Sequence, residues 1–379
     1  MRAAVVRERS GPFVVEELRD PRPGPQEILV EVAAAGACHT DLHIHDGSVA
    51  FPLPCVLGHE ISGVVAEVGS GVDHVEVGQR VVGAFIMPCG HCAECRSGRS
   101  ELCVEFFAHN RLSGTLYDGQ TRLFDKAGQP VWMYSMGGMS ELAVMPALAA
   151  VRLPDALPLA ESAILGCAFL TALGAAQRVA EVGPGAAVAV FGAGGVGSSL
   201  IQVCKALGAS RVIAVDLDDT KLAAARRLGA DEVVNASGSA EAAGAAGGSG
   251  GDPVAAIREL TDGRGVDVAF EAIGRPVTFR QASEVCADGG TAVMVGIAPT
   301  GALGEVEITR LVRRKLRILG SFGGRPQEDL PVLMAMAADG RIDLAGEVSE
   351  HVPLEGVDDV FTRLRRGEIL GRAVVDVRS

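Results

Sequence analysis

The sequence has no surplus of basic residues. Its 34 lysines and arginines stand against 47 aspartates and glutamates, a formal net charge of −13 over 379 residues. Nothing supplies the broad basic surface that nucleic acid requires, so nucleic-acid binding is not expected. Charged residues are too few, at 21%, and hydrophobic ones too many, at 48%, for a disordered chain. No apolar run approaches the roughly 20 residues of a membrane span, so no membrane partner is expected. The first 30 residues lack a basic start followed by an apolar signal core, which predicts a cytoplasmic protein. Aromatic residues are scarce at 4%. What is present is length enough for about two domains, each able to bury its own core, and nine cysteines. An odd cysteine count in such a chain fits metal ligands, reactive thiols or small core residues better than a disulfide framework.

To about residue 150 the chain shows short β-branched runs punctuated by glycine and proline: Ile28 to Val32, Gly63 to Val68 and Arg80 to Phe85. This pattern predicts an antiparallel β domain with irregular loops. From about residue 184 the rhythm changes. Strands are expected at Ala186 to Phe191, Arg211 to Val215, Glu232 to Val234, Val266 to Phe270 and Thr291 to Ile297. Helical stretches such as Val196 to Leu207 and Thr220 to Leu228 alternate with them, so the fold class is α/β with a doubly wound parallel sheet beside a β domain. Residues 236–253 are almost all Ala, Gly and Ser and read as a surface loop insertion. A last strand is expected at Ala373 to Val377.

Gly192-Ala193-Gly194-Gly195-Val196-Gly197 follows a strand and opens a helix. Gly192 allows the tight turn, Gly194 lets backbone approach a pyrophosphate, and Gly197 allows close packing of helix on strand. The N–H groups of Gly195, Val196 and their neighbours then face the anion. Asp216 ends the next strand, 19 residues after Gly197, where a carboxylate binds both ribose hydroxyls and repels a 2′-phosphate; NAD is therefore favoured over NADP. Lys221 is placed to reach the ribose. The alternative is a structural glycine turn with no nucleotide.

Cys89, Cys92, Cys95 and Cys103 form C-x2-C-x2-C-x7-C. Four thiolates at such spacing close a tetrahedral structural zinc site; core cysteines, a redox pair or a zinc-ribbon module are the alternatives. His91 lies inside this loop as a solvated bystander. A second set is dispersed: Cys38-His39-Thr40-Asp41-Leu42-His43, Gly58-His59-Glu60 and Gly166-Cys167. Taken singly, each segment is ambiguous.

Together with Gly36-Ala37 before Cys38, the four-cysteine lobe, the glycine motif with Asp216, and Phe270-Glu271-Ala272-Ile273-Gly274-Arg275, these segments resemble the zinc-dependent medium-chain alcohol dehydrogenases across essentially the whole chain. The resemblance implies a GroES-like antiparallel β catalytic domain over residues 1–168, completed by 319–379, and a Rossmann NAD-binding domain over 169–318. The active site is then expected in the cleft between them. It further implies that Cys38, His59 and Cys167 hold a catalytic zinc, leaving a fourth position for water or substrate. With the lobe, that makes two zinc ions per subunit. Asp41 would fix the His59 tautomer, and Glu60 would help ligand exchange. Thr40 would hydrogen-bond the substrate oxygen and pass its proton towards His43, a side-chain type whose ionisation spans neutral pH. His39 and Arg372 would contact the pyrophosphate, and Ile273 the cofactor. Phe85, Val49 and Ile297 would line the substrate pocket, with Trp132 and Met133 as further candidates. His45 is expected at the surface, and Cys55, Cys204 and Cys286 in the core.

The resemblance implies NAD-dependent, reversible oxidation of a primary, apolar or aromatic alcohol to its aldehyde, by a homodimer or homotetramer. The alternative within the family is a glutathione-dependent formaldehyde dehydrogenase acting on S-hydroxymethylglutathione. Against it, the loop from Gly47 to Pro54 carries no acid, and Val104-Glu105-Phe106-Phe107 replaces the basic position expected after the lobe; Arg111 is the available substitute. A nucleotide-binding structural protein is the non-enzymatic alternative.

Overall fold

The computed structural model describes residues 1–238 and 251–378. The loop expected over 236–253 therefore lies largely outside the described residues. Contacts divide the chain into two compact units: residues 1–170, 324–338 and 348–379 form one, and 171–323 with 339–347 form the other.

The first unit is built around the strand Glu27–Ala37, whose eleven residues are buried or half-buried throughout. It pairs antiparallel with Ile61–Val68, Leu142–Pro146 and Arg372–Asp376. Arg80–Gly83 and Ala150–Arg152 extend the sheet on one side, and Val348–Pro353 closes it on the other. A second sheet runs in the order Phe13–Glu17, Arg2–Val6, Cys55–Val56, Pro130–Met133, Leu123–Phe124. The antiparallel expectation covers most ladders but not all. Cys55–Val56 pairs parallel with Pro130–Met133, and Val348–Pro353 pairs parallel with Arg372–Asp376. Both parallel pairs join segments far apart or separated by a helix, as parallel pairing requires.

In the second unit six parallel strands run in the order Glu232–Asn235, Arg211–Asp216, Ala187–Phe191, Val266–Glu271, Cys286–Met294, Arg317–Gly320. This is the doubly wound order, with the chain reversing direction across the sheet beside Ala187–Phe191. Phe191, Ile213, Val215, Ile257, Val285 and Leu316 belong to its core cluster. The helix Gly195–Ala206 follows the first strand and buries Leu200, Ile201, Val203 and Cys204. The segment 339–347, which the sequence reading leaves in the catalytic domain, belongs to this unit.

One apolar run escapes the sequence reading. Glu161–Val179 is helical over 19 residues and apolar enough by composition to cross a membrane, and 83% of that window is buried inside the fold. The run is continuous only as structure: a 3-10 turn, Glu161–Gly166, leads through Cys167 into the helix Ala168–Leu173 and a wider-wound turn, Gly174–Val179.

Candidate functional site

The central strand Glu27–Ala37 delivers Cys38 at its end, and Cys38, in extended conformation (φ −125°, ψ 147°), starts the helix His39–His45. That short helix turns Asp41 inward, fully buried. Gly58 (φ +97°) makes the approach to His59 possible: a Cβ there would lie 2.6 Å from the Met139 amide nitrogen, a contact no other residue tolerates. The Gly58 amide donates to Asp41 Oδ1 at 3.1 Å, and His59 Nδ1 donates to the same oxygen at 3.0 Å. With Nδ1 so engaged, His59 Nε2 is left buried without a hydrogen-bond partner.

Cys167 closes the constellation. One ligand atom from each of Cys38, His59, Glu60 and Cys167 lies within 4.8 Å of the others, and all four residues are buried. An orphaned imidazole nitrogen facing two thiols is a three-donor set that suits zinc with one position left open, the Glu60 carboxylate beside it being paired with Arg372. The electrostatics agree. A hydrogen bond from Cys167 holds the Cys38 thiol well below the usual thiol range against the effect of burial, helped by Arg372 and His59. The same contact, with burial, pushes Cys167 up. Burial opposes a charge on His59, but the Asp41 carboxylate and Cys38 outweigh it and raise the imidazole to about 9. A proton and a metal therefore compete for one nitrogen.

Arg372, expected at the pyrophosphate, stands beside Glu60 in this structure. Its buried guanidinium forms an ion pair with Glu60, also fully buried. A carboxylate without water needs a counter-charge, and Arg372, at the start of its strand, supplies it. His45 departs from expectation: it is 4% exposed, stacks on Phe13 at 4.9 Å between centroids, and meets Gly11 O at 2.6 Å through Nε2. Its Nδ1 lies 2.9 Å from an Arg365 nitrogen. Thr40 and His43 are half-buried and His39 is exposed.

An aromatic wall stands beside the ligand cluster. Phe85 meets His59 edge-on at 6.1 Å, and Tyr134 meets it edge-on at 5.7 Å. Phe51 packs edge-on against Tyr134 at 5.4 Å, and the Arg111 guanidinium carbon lies 5.1 Å from the Tyr134 ring centroid. Phe85 was expected here; Phe51 and Tyr134 were not, and Arg111 only as a substitute. Val49 is half-buried and donates its amide to His43 O at 2.9 Å. Met133 is fully buried and Trp132 half-buried in their strand. Cys55, Cys204 and Cys286 are buried outside both ligand clusters.

The lobe is a second cluster: one sulfur from each of Cys89, Cys92, Cys95 and Cys103 lies within 4.8 Å of the others. Two of the sulfur pairs, Cys89–Cys95 and Cys92–Cys103, stand 4.0 Å apart. A tetrahedron with Zn–S bonds of about 2.3 Å has edges of about 3.8 Å, so the spacing fits zinc. Backbone amides point at the sulfurs as they would at thiolates: Cys89 N to Cys103 at 3.3 Å, Cys92 N to Cys89 at 3.3 Å, Cys95 N to Cys92 at 3.5 Å. Burial opposes ionisation of Cys92, but the amides of Cys95 and Val104 prevail and bring it to about 6. His91 is exposed, its Nδ1 on Cys89 O at 3.0 Å.

In the second unit the glycine turn has the form a dinucleotide needs. Gly192 (φ +94°) is left-handed, and a Cβ on Gly197 would collide with the Gly192 carbonyl. A Cβ on Gly194 would meet nothing within 4 Å, so the space over this helix N-terminus stays open for a pyrophosphate. The Ala193 amide donates to Asp216 Oδ2 at 2.8 Å. Asp216 Oδ1 accepts from the Leu217 amide at 2.7 Å and the Asp218 amide at 3.1 Å. The carboxylate thus retains acceptor capacity for a ribose hydroxyl. Gly195 and Val196 open the helix, Lys221 sits half-buried in the next helix, and Ile273 and Ile297 are 42% and 46% exposed.

Residues 24–155 match the alcohol dehydrogenase GroES-like domain family, and residues 195–339 match the zinc-binding dehydrogenase family. Among solved structures, the chain is similar to an alcohol dehydrogenase zinc-binding domain protein from Burkholderia ambifaria: 34% identity, TM-score 0.92, 100% of this chain and 99% of that one. It is also similar to a benzyl alcohol dehydrogenase from Acinetobacter calcoaceticus, at 30% identity and TM-score 0.90 over 99% of both chains. A candidate zinc-binding dehydrogenase from Sinorhizobium meliloti 1021, bound to NADP, matches at 27% identity and TM-score 0.79 over 99% of both.

Proposed function

We propose a particular reaction for this chain, taking as premise that it belongs to the zinc-dependent medium-chain alcohol dehydrogenase family and is a zinc-dependent oxidoreductase: the NAD-dependent, reversible oxidation of a primary aromatic or apolar alcohol to its aldehyde. The observation that carries the reading is the wall of Phe85 and Tyr134 edge-on to His59 in the ligand cluster. Similarity to a benzyl alcohol dehydrogenase supports an aromatic substrate.

Cys38, His59 and Cys167 would hold the catalytic zinc, and Cys89, Cys92, Cys95 and Cys103 the structural one. Zinc and NAD, when bound, would supply a Lewis acid for the substrate oxygen and a hydride acceptor. The chain's own residues do the rest. Asp41 holds His59 in the tautomer that presents Nε2. The Thr40 hydroxyl accepts the proton of the substrate alcohol as it gives up its own towards His43, and His43 releases a proton to water. Glu60, neutralised by Arg372, places a carboxylate among the ligands without adding net charge. Gly192, Gly194 and Gly197 shape the loop for the pyrophosphate. Asp216 takes the ribose diol and disfavours a 2′-phosphate, which is why NAD is proposed although one relative binds NADP.

We place the protein in the cytoplasm as a homodimer or homotetramer. The sheet edge Arg317–Gly320 and the exposed Leu303, Ile308 and Val312 offer a self-association surface.

One observation favours a second reading. Arg111 lies over Tyr134 and acts electrostatically on Cys167, Asp41 and Cys38, so a cation stands where a substrate carrying a carboxylate, such as S-hydroxymethylglutathione, would reach it. A panel of benzylic, aliphatic and carboxylated alcohols, followed by NADH absorbance, with a formaldehyde–glutathione arm, tests both. Turnover of benzylic alcohols supports the first reading; selective turnover with glutathione and formaldehyde would replace it with the second.

A further inference from the structure

Two carboxyls of the second unit, Glu271 and Glu347, are buried, unused by the proposed reaction and without an ion pair among the described residues. Glu271 accepts the amides of Ile273 and Gly274, whereas Glu347 accepts no backbone N–H among the described residues and meets side chains alone. It ends the short helix Leu344–Glu347, is 1% exposed, and faces the helix Gly195–Ala206, whose first turn is the dinucleotide loop. Its hydrogen-bond partners are polar and neutral. Glu347 Oε1 meets the Ser198 hydroxyl in a short hydrogen bond, and Gln202 Nε2 donates to Glu347 Oε2 at 3.0 Å. The other end of the Gln202 amide accepts the Asp343 backbone N–H at 2.7 Å. Ser198 in turn reaches Gly194 O at 2.9 Å and Gly195 O at 3.2 Å.

Counting protons decides the arrangement. A serine hydroxyl has one proton to give. Ser198 can direct it to the Gly194 carbonyl only if the Glu347 carboxyl brings a proton of its own to the Ser198 oxygen. If Glu347 is ionised, the Ser198 proton must turn to the carboxylate, and the Gly194 carbonyl keeps the Ser198 backbone N–H at 2.8 Å but loses the hydroxyl as its second donor. Gly194 caps this helix, and it is the glycine over which the backbone leaves open space for a pyrophosphate.

We propose that Glu347 is a positioning residue for the dinucleotide loop: as a neutral acid it donates to Ser198, Ser198 donates to Gly194, and loss of the Glu347 proton loosens the loop and weakens cofactor binding. This rests on the reading of Gly192–Gly197 as the NAD site and adds a pH-dependent control to it.

The surroundings keep the acid neutral. Burial pushes Glu347 up to about 8, Ser198 and Gln202 oppose that in part, and Asp343 adds to it. The titratable groups on the facing helix do not offset the burial. Lys205 is held by Asp231 at 3.0 Å, and Cys204 is a buried thiol pushed well above its usual range. Asp343 itself accepts the Gly346 amide at 2.8 Å.

The test is NADH affinity, read by fluorescence from pH 6 to pH 9.5, for the wild type, Glu347→Gln and Ser198→Ala, with thermal melting in parallel. In the wild type, affinity should fall about five-fold as pH rises through about 8, the change expected from losing one hydrogen bond in the loop. Glu347→Gln presents an amide N–H to Ser198 at every pH, so it should keep the neutral-pH affinity and lose the transition. Ser198→Ala should bind more weakly throughout, also without the transition. A transition near pH 8 that persists in both variants would overturn the proposal while leaving the cofactor site standing. No NADH binding by the wild type at any pH would overturn both.

Discussion

Replacing Asp41 tests the electrostatic design of the ligand cluster. Its Oδ1 accepts from His59 Nδ1 at 3.0 Å and from the Gly58 amide at 3.1 Å. Asp41→Asn keeps an acceptor oxygen of the same shape but removes the charge that, with Cys38, holds His59 at about 9. A less basic imidazole binds zinc less tightly, by about 10- to 100-fold where an outer partner of a ligand is lost. The pH dependence has a definite sign. Below about 9 the wild-type His59 proton must be displaced before metal binds, which costs the wild type part of its advantage. The asparagine variant releases that proton at lower pH. Its deficit in zinc affinity should therefore grow from pH 7 to pH 9, the proton cost at Cys167 being common to both proteins. In the zinc-free protein the same shift stabilises the fold below the ordinary 6.5, and that contribution is lost as pH rises through about 9. Asp41→Ala goes further: it strands two buried donors at about 1–3 kcal/mol each and should unfold at markedly lower urea. Competition against a chromophoric zinc chelator at the two pH values measures the deficit. Equal affinity of Asp41→Asn and wild type at pH 9, or a deficit that does not change with pH, would refute the reasoning.

Two further perturbations address the other sites. Cys103 is fully buried and its sulfur accepts the Cys89 amide; Cys103→Ser should remove one equivalent of zinc by elemental analysis and lower Tm by about 10 °C, the effect of losing roughly 3 kcal/mol. Unchanged zinc content would mean the lobe is not a metal site. Gly197→Ala drives a Cβ into the Gly192 carbonyl, so helix and loop must part; NADH binding should weaken at least ten-fold and stability fall by about 1–3 kcal/mol. An unaltered NADH titration would show that the loop does not carry the cofactor.

What could be read from the chain before folding was chemistry written locally. The lobe cysteines fall within 15 residues, and the strand, glycine turn and helix of the dinucleotide loop are contiguous, so spacing alone proposes each. The second ligand set spans Cys38 to Cys167 and needed a family resemblance to join it, because nothing in a lone Cys-His-Thr-Asp says where its partners lie. The aromatic wall was harder still. Phe51 and Tyr134 meet near a parallel ladder of only two residue pairs, Cys55 with Trp132 and Val56 with Met133, too short to leave a pattern. His45 reads as a surface residue from its helix, and becomes a core residue because Phe13 and Arg365 come to it from elsewhere. Arg372 was read as an anion contact, and the carboxylate of Glu60 beside it could not be foreseen from two positions 312 residues apart. Periodicity reports which residues avoid water; a buried polar side chain is placed by whichever distant group completes its hydrogen bonds. That is why Asp41, Glu60 and Glu347, three carboxylates alike in sequence, have three different partners: an imidazole with a backbone amide, a guanidinium, and a serine with an amide side chain. At Glu347 burial favours the neutral acid against the pull of Ser198 and Gln202, because neither partner brings a positive charge.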